Sequence, residues 1–314
     1  VRALLVANPK ATSTNKRARD LLVRAFAGDL EVELAETAYR GHAVDLAADA
    51  VTRGIDIVIA LGGDGTVNEV VNGLLSHDVS ADDLPGLAVL PGGSANVFAR
   101  ALGLPNDPLR SIASVLGAIR AGRTRTIGLG HVATEVEKRY FTFSAGIGWD
   151  AEVVHAVEQA RLSGAKANPA LYVRAALRQY FAITDRRNPS LHIQDCDGRI
   201  ARGVFLAIIS NTAPWTFLGS HPINPSPRAS FSTGLDLFGM RSADVLPTAV
   251  ALAQMFVRRL DQGPQGRHVL EVHDTSEITI GTSRPTAFQL DGEYLGRRER
   301  LLFRSVPQAI RMVI

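Results

Sequence analysis

The rhythm of apolar positions changes part way along this chain. Through residues 1–125, short β-branched runs alternate with stretches of helical spacing. The strand-like runs are Arg2–Ala7, Glu31–Glu36, 55–61 and 86–90. Between them, Leu21, Leu22, Ala25 and Phe26, then Val44, Leu46, Ala47, Ala50 and Val51, recur at intervals of three and four. This alternation predicts βαβ units and a parallel sheet covered on both faces. The run 55–61, with Asp56 as its one polar residue, fits a strand buried on both sides. In open sheets of this kind, ligands bind beyond the carboxyl ends of the strands. Paired glycines stand at two of those ends.

After Thr126 the strands lengthen and alternate: 140–145, 190–194, 203–210, 268–273, 277–281 and 286–290, with Gly, Asp and Asn between them. Helical patterns at 151–161, 169–183 and 245–260 interrupt them. The expectation is an α/β domain over residues 1–125 and a mainly antiparallel, β-sandwich-like domain over 126–300. Residues 301–314 are expected to pack back on the first. The small, polar stretch 161–169 reads as mobile. No internal repeat or low-complexity tract is present.

Composition adds limits. A length of 314 residues suits about two domains, and 46% apolar with 21% charged residues is ordinary for a folded chain. Lys+Arg 34 against Asp+Glu 31 leaves +3, with no basic stripe interleaved with aromatics, so nucleic acid is not an expected partner. The single cysteine, Cys196, excludes an internal disulfide framework and a multi-cysteine metal site, and fits a reducing cytosol. The histidines, His42, His131, His155 and His273 among them, have no zinc-binding spacing. The longest apolar stretches, 55–61 and 204–209, are far below the roughly 18–20 residues of a membrane span. A soluble, cytoplasmic protein is expected.

The chemistry concentrates in two turns. Gly62-Gly63-Asp64-Gly65-Thr66-Val67-Asn68-Glu69 follows a buried run and opens a helical pattern. Adjacent glycines permit a tight turn and a close approach of phosphate to backbone. The N–H groups of the helix start favour an anion. Asp64 repels phosphate, so it suits Mg²⁺ or a proton. A plain βα turn capped by Asp64 or Thr66 explains an isolated Gly-Gly-Asp-Gly equally well. A second such loop, Pro91-Gly92-Gly93-Ser94-Ala95-Asn96, again lies between strand and helix patterns. Neither has P-loop or Gly-x-Gly-x-x-Gly spacing.

These two loops, Asn8-Pro9 after the first strand and the late Leu290-Asp291-Gly292-Glu293 together resemble the diacylglycerol kinase catalytic-domain family. That family includes bacterial lipid kinases and the sphingosine and ceramide kinases. The Gly-Gly-Asp-Gly-Thr element alone is shared with NAD kinases. The resemblance spans nearly the whole chain. It implies an N-terminal α/β nucleotide-binding domain of the NAD kinase/diacylglycerol kinase type and a β-rich lipid-substrate domain. The implied activity is ATP- and Mg²⁺-dependent phosphorylation of a lipid hydroxyl, with diacylglycerol the leading substrate and the membrane surface a peripheral partner. A homodimer is compatible with it.

By position, the resemblance makes Asn8, Pro9, Lys10, Ala11 and Thr12 a loop near the nucleotide, and Thr37 a hydroxyl contact. Gly62 to Glu69 would wrap the phosphates, with Gly93, Ser94 and Asn96 beside the nucleotide. Asp64 would organise magnesium, and Glu293 would accept the substrate proton. Read without the family, Asp291-Gly292 is a plain hairpin turn. The family also holds a structural Mg²⁺ near a Gly-x-Leu-Asp element. Here Ser230, Ser232, Thr233 and Leu235 surround that place, and neutral hydroxyls bind a hard dication weakly, with Asp236 the one carboxylate to compensate.

Two apolar features complete the reading. Trp215, Phe217 and Leu218 form an apolar loop, read as core packing or as an acyl-chain entrance. The 169–183 helix and its exit join Leu171, Val173, Leu177, Tyr180 and Phe181 to Arg174, Arg178, Arg186 and Arg187, a pattern of an ordinary packed helix or of one lying on anionic lipid. The alternatives to a lipid kinase are an NAD kinase-like enzyme and a non-catalytic lipid- or nucleotide-binding protein.

Overall fold

The computed structural model describes residues 1–9, 16–165, 169–257 and 261–314. It divides into two compact units, Val1–Gly128 with Gln308–Ile314, and Leu129–Pro307.

The first unit runs β1 (Arg2–Ala7), α1 (Lys16–Phe26), β2 (Glu31–Glu36), α2 (His42–Thr52), β3 (Ile57–Gly62), α3 (Asp64–Leu74), β4 (Gly86–Pro91), α4 (Val97–Ala101) and α5 (Pro108–Arg120), followed by strand β5 (Thr124–Thr134), whose residues from Leu129 onward count with the second unit. The strands lie parallel in the order β2-β1-β3-β4. The chain's last residues add a further parallel neighbour, with Met312 opposite Leu87. Every second side chain of β1 (Ala3, Leu5, Ala7) joins Leu22, Phe26, Val115 and Ala118 in one core. Leu4 and Val6, pointing to the opposite face, are equally buried. Both faces are covered, which is why these strands read as unbroken apolar runs. β2, an outer strand in this order, alternates glutamates with Val32 and Leu34, a charged pattern suited to an edge.

The second unit contains β6 (Lys138–Phe141), β7 (Ser144–Gly148), α6 (Trp149–Leu162), α7 (Pro169–Arg178) continued by a π turn (Gln179–Ile183), β8 (Leu191–Asp195), β9 (Ile200–Val204), β10 (Leu206–Ser210), β11 (Thr216–Leu218), β12 (His221–Ile223), β13 (Leu235–Met240), α8 (Val245–Met255), β14 (Val269–Thr275), β15 (Glu277–Leu290) and β16 (Glu293–Val313), whose residues from Gln308 onward count with the first unit. Its strands pair antiparallel in the order β14-β13-β10-β7-β15-β16. One core holds Phe141, Ile147, Ile209, Leu237, Phe288 and Phe303. Another gathers Trp149, Tyr180, Phe205, Phe238 and Met255, with Trp215 packed on it. Trp215 therefore does core work, as one reading of its loop expected.

Several boundaries differ from the sequence reading. The 140–145 strand breaks because the N–H groups of Thr142 and Phe143 bond the Asp291 side chain instead of a neighbouring strand. The 203–210 strand breaks at Phe205, and 277–290 is one strand with shifts of register. Of the 161–169 stretch, residues 166–168 lie outside the described residues, as do 258–260 of the 245–260 helix.

Candidate nucleotide and proton-transfer sites

β3 and β4 are neighbours, with Gly62 opposite Pro91, so the two glycine loops leave the sheet side by side. The Gly92 N–H donates to the Gly62 carbonyl at 2.8 Å. A Cβ on Gly93 would lie 2.7 Å from the Gly63 Cα, and one on Gly62 would lie 2.6 Å from the Thr66 Cβ. Gly93 is therefore required by the contact of one loop with the other, and Gly62 by the packing of Thr66 within its own loop, rather than by the approach of a phosphate. Gly65 differs: it is exposed, and a Cβ there would meet nothing within 4 Å. It lies in the first turn of α3, where backbone N–H groups have no intrahelical acceptor and an anion is favoured.

Asp64 opens α3, and its Oδ1 accepts the Phe98 N–H at 3.1 Å, so it also serves the N-terminus of α4. The Arg100 guanidinium lies within its electrostatic reach; burial lowers the Arg100 pKa and Asp64 opposes that. Ser94 is exposed at the loop tip. Asn96 adopts a left-handed backbone (φ 48°). Its Oδ1 accepts the Gly93 N–H at 2.8 Å, and its Nδ2 donates to the Gly93 carbonyl and to Asn106. Its amide is thus occupied in shaping the loop. Asn8 donates from Nδ2 to the buried Thr66 Oγ1 at 3.2 Å, and from its backbone to Leu61. Pro9 is half-buried; Lys10, Ala11 and Thr12 lie outside the described residues.

Three residues expected to wrap phosphate face elsewhere. Val67 and Asn68 are each only 1% exposed, and Asn68 accepts from Asn72 through its carbonyl and Oδ1. The Glu69 carboxylate accepts the N–H groups of Gly41 and Ala43, at 3.0 and 3.3 Å, and so caps α2. A carboxylate at a helix N-terminus is held by hydrogen bonds and by the helix dipole. Thr37 is half-buried, and its N–H donates to Ala7; the residue preceding α2 is Gly41.

In the second unit, β15 and β16 form a hairpin whose two-residue loop is Asp291-Gly292. Both residues have positive φ, 47° and 78°, as a type I′ turn requires. The Asp291 carboxylate is buried and accepts four hydrogen bonds: from the Thr142 N–H (2.7 Å) and Oγ1 (2.8 Å), and from the N–H groups of Phe143 (3.0 Å) and Ser144 (3.1 Å). Burial raises its pKa and these donors oppose the rise. Glu293 follows the turn, 18% exposed, and its Oε2 pairs with the Arg139 guanidinium at 2.7 Å. Sequence reasoning missed Arg139, which comes from β6 and carries no local signal. Asp64 and Glu293 belong to different units.

The hydroxyl-rich loop does not fit a structural Mg²⁺. Ser230, Ser232 and Thr233 bond one another. Leu235 sits in β13 opposite Thr275. Asp236 Oδ1 already accepts from His273 Nδ1 at 2.7 Å and from the Asp274 N–H at 3.0 Å. Among the described residues, no group of three or more His, Cys, Asp or Glu could hold a metal ion.

Residues 2–132 match the diacylglycerol kinase catalytic domain. A diacylglycerol kinase of Bacillus subtilis is 29% identical over 305 residues, which is 94% of this chain and 90% of that protein. A probable YegS-like lipid kinase of Stenotrophomonas maltophilia is 35% identical over 111 residues, covering 35% of this chain and 36% of the other. Among solved structures, a diacylglycerol kinase from Bacillus anthracis superposes with a TM-score of 0.69 at 18% identity, covering 99% of this chain and 96% of that one. An NAD kinase from Archaeoglobus fulgidus in complex with ATP gives 0.54 at 11% identity, covering 100% and 94%. These likenesses establish the two-part fold.

Proposed function

We propose, from the premise that this chain belongs to the diacylglycerol kinase catalytic-domain family of lipid kinases, that it transfers the γ-phosphoryl group of ATP to the hydroxyl of diacylglycerol, giving phosphatidic acid. The observation that carries the reading is the loop between β3 and α3. It ends a parallel strand, starts a helix, and leaves Gly65 open where an anion is favoured. Ser94 and Asn8 flank this place as nucleotide contacts, with Thr37 a further hydroxyl. Asn96 and Glu69 act by shaping the loop and the helix around it.

Magnesium is ordinarily bound through one or two carboxylates and the phosphate oxygens of a nucleotide. A single carboxylate at this loop, Asp64, suits that donor set, and Mg²⁺ carried with ATP would neutralise charge spreading over the transferred phosphoryl group. Asp64 would hold it. Glu293 accepts the proton of the lipid hydroxyl as the oxygen attacks the γ-phosphorus in line and ADP departs. Arg139 pairs with Oε2 of that carboxylate and so fixes its place. A proton acceptor of this kind needs the hydroxyl within about 3 Å.

The substrate resides in a bilayer, so the protein is proposed to act in the cytoplasm as a peripheral membrane enzyme. Helix α7 and its π turn support this. Tyr172, Val173, Leu177, Phe181 and Ile183 are exposed alongside exposed Arg174, Arg178 and Arg187. That combination suits an anionic lipid surface. No helix among the described residues is long and apolar enough to cross a membrane.

The test is product analysis with radiolabelled ATP, Mg²⁺ and mixed vesicles containing diacylglycerol, beside ceramide, sphingosine and NAD. Phosphatidic acid is the expected product, absent with Glu293→Gln. A product formed only from NAD, or no phosphorylated lipid from any alcohol, overturns the reading.

A further inference from the structure

Glu293 is flanked in sequence by two backbone N–H groups, and both are held by side chains linked to α6. The Gly292 N–H donates to Gln289 Oε1 at 2.9 Å. The same amide donates from Nε2 to Asp150 Oδ2 at 2.8 Å. On the other side, the Tyr294 N–H donates to Glu158 Oε1 at 3.1 Å. The His155 ring lies over the Tyr294 ring with centroids 4.1 Å apart. Asp150 and Glu158 stand eight residues apart on α6, close to two full turns, so they project from one face of the helix.

The way Asp150 reaches the hairpin is specific. Gln289 lies opposite Gly146 in the β7–β15 pair. A Cβ at Gly146 would fall 1.6 Å from Asp150 Oδ2, so the absence of a side chain there makes room for the carboxylate. Asp150 is 7% exposed and Gln289 is 2% exposed. A buried carboxylate is costly, and an apolar residue would serve a purely packing contact between helix and strand more cheaply. What the carboxylate adds is a fixed direction for the Gln289 amide, and through it a fixed turn.

We propose that α6 positions the proton acceptor: Asp150, acting through Gln289, and Glu158, acting directly, hold the backbone on both sides of Glu293. They are positioning residues and touch no reacting atom. The inference rests on the assignment of Glu293 as acceptor. Displacement of a reacting group by about 1 Å can cost on the order of 100-fold in rate. The effect therefore appears in kcat, with nucleotide binding untouched.

The experiment compares kcat, KM for ATP and thermal midpoint for Asp150→Ala, Gln289→Ala, their double variant, Asp150→Asn, Glu158→Gln and Glu293→Gln. The expected result is a loss in kcat of about tenfold or more for each alanine variant at unchanged KM for ATP. The double variant should lose no more than the worse single, because both act along one path. Asp150→Asn and Glu158→Gln keep an acceptor oxygen and should restore most of the rate, and they serve if an alanine variant fails to fold. Parental kcat in Asp150→Ala and Gln289→Ala, or losses that multiply in the double variant, overturns the positioning role while an inactive Glu293→Gln leaves the acceptor intact. Parental turnover in Glu293→Gln instead overturns the acceptor assignment, and the inference with it.

Discussion

Asp64 Oδ1 lies 3.1 Å from the Phe98 nitrogen, so the acidic residue of one glycine loop caps the helix that follows the other. Asp64 thus has two jobs that substitution can separate. Asp64→Asn keeps an oxygen for the Phe98 N–H but removes the charge proposed to hold magnesium. It should fold with a thermal midpoint near the parent's and lose roughly 100-fold or more in kcat. Asp64→Ala removes the cap as well, and should cost about 1 kcal/mol of stability besides. Steady-state kinetics beside urea unfolding checks both. Equal activity of parent and Asp64→Asn would remove the carboxylate from the mechanism.

Glu69 separates capping from phosphate binding more sharply. Its carboxylate accepts the Gly41 and Ala43 N–H groups. Glu69→Ala should therefore destabilise the protein by about 1–2 kcal/mol, as the loss of a cap does. The KM for ATP should be unchanged. A variant of parental stability with a raised KM would return Glu69 to the phosphates. Denaturant unfolding and ATP titration at one pH decide between them.

The parallel strands and the hairpin were legible because their signals are local. The uninterrupted apolar run through Ile59 and Leu61 comes from burial on both faces, and Asp291-Gly292 is a two-residue loop that demands positive φ twice. The break at Thr142 could not be read, because its cause is the Asp291 carboxyl 149 residues away. Arg139 beside Glu293 and Asp150 beside Gln289 are hidden for the same reason. Within the glycine loops, the sequence marked the place correctly as a turn, but it could not tell Gly93, which packs on Gly63, from Gly65, which packs on nothing.

That last difference is itself testable. Gly93→Ala would force a methyl to 2.7 Å from the Gly63 backbone. It should cost about 1–3 kcal/mol of stability and disturb both loops. Gly65→Ala has open space inside a helix, where alanine exceeds glycine by up to about 1 kcal/mol. It should raise the thermal midpoint slightly while raising the KM for ATP, since the methyl occupies the approach to the α3 terminus. Thermal denaturation and nucleotide titration of the pair check this. An unchanged KM in Gly65→Ala would place the phosphates elsewhere.

Asp150 gives the protein a predictable dependence on pH. Burial pushes its pKa from the ordinary carboxylate value of 3.8 up to about 6, and the Gln289 amide donor opposes the rise. Below about pH 4 the group is protonated in both folded and unfolded chains, so it adds no difference. Between about pH 4 and pH 6 the folded protein keeps a proton that the unfolded chain has released. Stability from this group therefore falls as pH rises through that window, by about 3 kcal/mol in all, and is level above it. Asp236 and Asp291, also raised by burial, contribute in the same direction and remain in both proteins compared. Asp150→Asn should gain stability relative to the parent on going from pH 4 to pH 7.5, by about 3 kcal/mol. Denaturant unfolding of the two proteins at those pH values measures the gain. Parallel pH profiles would mean that Asp150 ionises as an ordinary surface carboxylate does.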